Sequence, residues 1–107
     1  MTTPDPVLIG ERLEQYVDTL DKSARDAGVH RDAYTTQAGR RYVKIVHDHS
    51  VHAFVDPATG AVYKPAGWSK PAEHVRYWLA DDDSFASLMT AAADPHSFAG
   101  GYLYMDR

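Results

Sequence analysis

Two runs rich in β-branched and aromatic residues, Val51–Val55 (VHAFV) and Ala61–Lys64 (AVYK), flank the pentapeptide Asp56-Pro57-Ala58-Thr59-Gly60. No other feature limits the fold as much. Such runs suit pleated surfaces, Pro57 presets the backbone for a type I turn, and Gly60 supplies the left-handed residue that restores strand register. Upstream, from Arg41, the period is also two. Tyr42, Lys44 and Val46 face one side; Val43, Ile45 and His47 face the other. With His47-Asp48-His49-Ser50 as a first turn, residues 41–64 read as a three-stranded antiparallel meander.

The other segments read as cover for that sheet. Residues 1–4 read as disordered. Asp5 and Pro6 suit an N-cap and a first helical position, and Ile9, Leu13, Tyr16, Val17, Leu20, Ala24 and Ala27 then recur at spacings of three and four. This predicts a long amphipathic helix over 5–28, stopped at Gly28. Residues 30–40 are polar and read as a connector. Pro65, Gly67 and Pro71 make 65–72 a rigid loop around Trp68, within an aromatic and basic region over 65–80. Glu73–Ala80 fits either a short helix or a fourth extended piece. Asp81-Asp82-Asp83 precede a second, short helix over 84–93, with Phe85, Leu88, Met89 and Ala92 on one face and Asp94-Pro95 as its stop. The apolar tail 100–105 is expected to dock on the body. The expected fold is α+β: one domain, with a three-stranded meander, or four strands, packed by a long N-terminal and a short C-terminal helix.

With 107 residues, one core is affordable and two are not. Zero cysteines exclude disulfides, thiolate catalysis and cysteine zinc sites, and suit a reducing cytosol. The start MTTPDPVLIGERL lacks a basic segment followed by a long apolar run, so it does not read as a signal peptide. The net charge of −4 is segregated. Residues 39–79 hold six basic and three acidic side chains, against four and seven before them and one and five after. The predicted sheet is thus the basic part of an acidic protein and can steer an anionic partner.

Candidate chemistry is sparse. His47, Asp48, His49 and His52 are metal-ligand types, but a turn does not hold them convergent and no second ligand cluster accompanies them; a solvated polar turn is the plainer reading. No serine lies in a G-x-S-x-G elbow, and Gly100-Gly101 precedes no helix that could cradle a phosphate. The sequence therefore reads as non-enzymatic, without metal or cofactor. Binding is better founded. Lys64, Trp68, Lys70, Arg76, Tyr77 and Trp78 fall close together, and Trp, Tyr and Arg dominate protein interfaces. The same mixture also stacks on bases and pairs with phosphates. Gln15-Tyr16-Val17-Asp18-Thr19-Leu20 loosely resembles peptides that dock, extended, on bacterial sliding clamps, although here it lies in a predicted helix.

The segment FVDPATGAVYKPAGWSKPAEHVRY resembles a recurrent class of small proteins encoded by tailed bacteriophages, particularly those infecting actinobacteria. Their pattern is F-V-D-x-x-T-G-x-V-Y-K-x-A-G-W-x-x-P-A-x-x-V-R-Y. It is met at Phe54, Val55, Asp56, Thr59, Gly60, Val62, Tyr63, Lys64, Ala66, Gly67, Trp68, Pro71, Ala72, Val75, Arg76 and Tyr77, and a late G-G-Y-L-Y at 100–104. The resemblance covers about 40–104 and leaves the N-terminal helix outside, as an addition. At Glu73-His74 this chain departs from the basic or small residues usual in the class, which weighs against nucleic acid. The resemblance implies a viral protein acting in the host bacterial cytoplasm. There it would bind and inhibit or redirect a host protein, with replication machinery such as the sliding clamp as one candidate, and growth inhibition as one outcome. Nucleic-acid binding through Lys64, Trp68, Lys70 and Arg76 is the alternative.

Overall fold

The computed structural model describes residues 5–28, 33–47, 50–94 and 103. Helix α1 spans Pro6–Asp26. The Asp5 carboxylate accepts from the Val7 N–H at 2.9 Å, Pro6 sits in the first turn where it costs no hydrogen bond, and Gly28 follows the end at φ +76°. Of the predicted stripe, Ile9, Tyr16, Leu20 and Ala24 are buried and Leu13 and Val17 pack at the margin. Ala27, its last member, is only half-buried. Ser23, outside that stripe, is buried, and its hydroxyl is satisfied there because its one proton lies within hydrogen-bond reach of the Thr19 and Ala92 carbonyls.

Among the described residues the sheet has five strands: β1 (Thr35–Ala38), β2 (Val43–His47), β3 (Ser50–Asp56), β4 (Ala61–Pro65) and β5 (Pro71–Trp78). Each pairs antiparallel with the next, a sequential meander. The α+β class holds, but three or four strands become five. The connector 30–40 contains β1, whose residues are all exposed. Pairing with β2, from Thr35↔Val46 to Ala38↔Val43, holds it, so no buried alternation marks it in the sequence. At the other edge, Pro71 opens β5, where a missing N–H is tolerated. The rigid loop therefore shrinks from 65–72 to the stretch between β4 and β5, and Glu73–Ala80 is mostly strand. The 56–60 turn forms as read: the Thr59 and Gly60 N–H groups donate to the Asp56 carbonyl, and Gly60 has φ +81°.

Helix α2 spans Asp82–Ala92, starting two residues before its expected position because Asp81 caps it, accepting from the Ser84 N–H at 2.8 Å. Its Leu88 and Ala92 join Ile45, Ala53, Val55, Val62 and the α1 stripe in one core, with Phe85 and Met89 at its margin. Both helices thus cover the same face of the sheet. Arg12 locks the corner: it donates to the Leu79 carbonyl at 2.8 Å, pairs with Asp82 at 2.7 Å and stacks on Phe85. Of the expected docked tail, Leu103 is fully buried in the core; residues 1–4, the turn positions 48–49 and the rest of the tail lie outside the described residues.

Candidate binding surface

Among the described residues no helix lies on the other face of the sheet: α1 and α2 both pack on the core side. Register places Lys44, Phe54, Tyr63 and Val75 in a row across β2 to β5, on the side opposite the core residues Ile45, Val55 and Val62. The alternation read from Arg41 onward is thus correct: Tyr42 and Lys44 lie on one side and Ile45 on the other. Tyr42 meets Phe54 and Tyr63 edge-to-face, with centroids 6.1 and 5.7 Å apart, the arrangement ring quadrupoles favour. Arg41 lies over Tyr42 and reaches Asp56 at 3.6 Å.

Trp68 caps this face from outside. The Ala66 and Gly67 N–H groups both donate to the Lys70 carbonyl, closing the β4–β5 loop on itself. Its indole projects back until the Lys44 ammonium stands 4.2 Å from the ring centroid. Trp68 remains 50% exposed and borders an open cleft of about 320 Å³ with Ser50, Val51, Pro65, Ala66 and Gly67. Trp78, 44% exposed, ends β5 beside α2, its backbone N–H donating to the Ser84 hydroxyl at 2.7 Å.

The residues singled out from the sequence therefore do not form one patch. Trp68 and Lys70 share the loop, and Lys70 is exposed. Tyr77 pairs with Val62 and packs against the core on the helix-covered side, so it stands apart from Trp68. Arg76 occupies the extra position of a bulge between the Val62↔Tyr77 and Tyr63↔Val75 pairs. It and Lys64 are half-buried and engaged within the chain. The sequence reading missed Lys44, Tyr42 and Tyr63 as companions of Trp68. Their shared side was legible from alternation; the loop's fold back over it was not. In Gln15–Leu20, Tyr16 and Leu20 are fully buried within α1, so this hexapeptide is not displayed as an extended docking peptide.

His47 and His52 differ from the expected solvated turn, whose other members, Asp48 and His49, lie outside the described residues. Register passes from Ile45↔Ala53 to Val46↔Val51, leaving His52 as the bulged residue. It is 9% exposed and meets Tyr34 edge-on, while His47 stacks flat on Tyr34 at 4.1 Å. Burial, reinforced by neighbouring His47, pushes the His52 imidazole down to about 4. Burial and the Asp21 carboxylate push the Tyr34 hydroxyl up to about 12. Among the described residues no three His, Asp or Glu side chains are grouped to hold a metal ion.

A family profile matches residues 7–105. The chain belongs to that family, described as a family of unknown function (DUF7717). The match starts at Val7 and takes in α1, so the helix expected as an addition is an integral part of the family's domain, as its share of the core requires. No curated protein and no solved structure matches the chain. No described helix is long and apolar enough to cross a membrane.

Proposed function

We propose that this protein is a non-enzymatic binder whose sheet face opposite α1 and α2, led by Trp68, engages a partner protein and inhibits or redirects it. The resemblance of residues 54–77 to actinobacteriophage proteins extends the proposal: the chain is phage-encoded, acts in the host bacterial cytoplasm, and targets a host protein, with slowed host growth as the outcome. One observation carries the reading. Trp68 is half-exposed at the tip of a loop closed by its own hydrogen bonds, on the face opposite α1 and α2. An indole held in place before binding loses little entropy on docking, and Trp is enriched among the residues that dominate interface energetics. Capture from actinobacterial lysate tests it. Wild-type bait should retain a defined protein that Trp68→Ala bait, shown folded by circular dichroism, loses. Equal recovery by both baits refutes it.

A second reading rests on Arg41 and Lys44 interleaving with Tyr42, Tyr63 and Trp68 on one face, with Lys70 exposed in the loop that carries Trp68, a pattern that suits single-stranded nucleic acid. Oligonucleotide affinity would then fall steeply with salt as counterions are released; a flat response refutes this reading.

A further inference from the structure

The two edges of the sheet are built differently. β5 begins with a proline, carries Glu73, His74 and Arg76, and has two register irregularities against β4. Charges, proline and bulges are the devices that blunt an edge against added strands. β1, Thr35-Thr36-Gln37-Ala38, has no charge, proline or bulge, and every residue is exposed. Its ladder phase follows from the Gly39 N–H, which donates to the Tyr42 carbonyl at 2.9 Å. Hydrogen-bonded and non-bonded pairs alternate, so Thr36 and Ala38 turn their N–H and C=O groups away from β2. Between β1 and α1 runs a groove of about 460 Å³, with Leu13, Val17 and Tyr34 as apolar lining, Glu14 and Asp18 as acids, and Thr35 and Thr36 beside them. Tyr34 is 5% exposed, and among the described residues its hydroxyl has no hydrogen-bond partner.

We propose that β1 is a docking edge that receives an extended basic peptide segment of a partner protein as an additional strand. The outward groups of Thr36 and Ala38 supply main-chain hydrogen bonds. The groove takes an apolar side chain against Leu13 and Val17, and Glu14 and Asp18 pair with flanking Lys or Arg. Charge decides the occupant. A second copy pairing β1 to β1 would bring two such acidic flanks together, whereas a basic strand neutralises them. This surface is separate from the Trp68 face, and either can fail without the other.

The test titrates the isotope-labelled full chain with the peptide Lys-Val-Lys-Val-Thr-Val-Lys and with its counterpart carrying Glu for Lys. The basic peptide should shift the amide signals of Thr35–Ala38 and Val17, and the acidic one should not. Replacing both exposed acids, Glu14→Lys and Asp18→Lys, should weaken binding roughly tenfold. Thr36→Pro, which removes an outward donor and spares the β1–β2 ladder, should weaken it further; Trp68→Ala should leave it intact. Shifts elsewhere on the chain, indifference to peptide charge, or self-association in sedimentation that Thr36→Pro abolishes would each overturn the proposal.

Discussion

Acidification should destabilise this chain through one side chain. His52 is buried at the β3 bulge, edge-on to Tyr34, with a folded pKa of about 4 against an ordinary 6.5. As pH falls below about 6.5 the unfolded chain takes up a proton that the folded chain refuses until about 4. Stability is therefore full above the upper value, declines through the window and levels off below it. At ~1.4 kcal/mol per pH unit the loss is about 3 kcal/mol, a large part of the stability of about 5–15 kcal/mol typical of a domain. The assay is urea unfolding from pH 7.5 to 4, with wild type and His52→Gln compared at each pH. The variant loses the ring contact and starts less stable, but it has no imidazole to titrate at this position. Carboxylates shared by both proteins cancel in the difference, so wild type should lose about 3 kcal/mol relative to the variant. Parallel curves across the window would refute the argument that burial holds His52 neutral.

Three further outcomes follow from the packing. Gly60→Ala should cost about 1–2 kcal/mol or more in chemical denaturation, because φ is +81° and a Cβ would meet the Ala80 nitrogen at 3.1 Å. Leu20→Ala, at a fully buried position of α1, should cost about 2–5 kcal/mol, whereas a loss within 1 kcal/mol would mean the helix is not integral to the core. Arg12→Ala should cost about 1–3 kcal/mol by leaving the Leu79 carbonyl without its donor, while Asp82→Asn, at the exposed end of the same guanidinium, should cost no more than about 1 kcal/mol.

Local chemistry made part of the fold legible. The Asp5-Pro6 start, the α1 stripe, the Asp56–Gly60 turn, the alternation of β2 and the apolar face of α2 each write their signal within a few neighbouring residues, and each appears in the structure. What these signals lack is any record of the partner strand. β1 is polar and exposed, and only pairing with β2 makes it a strand. The bulge that turns His52 inward exists only as a mismatch between two strands, so a buried imidazole read as part of a wet turn. The candidate surface divides the same way. Trp68 and Lys70 were visible as neighbours in one loop. Lys44 joins them, and Tyr77 leaves them, because the sheet brings distant residues onto one face and sends alternate ones to the other. Residue type and spacing determined which segments are helical and which hairpin closes; strand register and the return of the β4–β5 loop decided which side chains face a partner, since both depend on contacts between residues far apart in the chain.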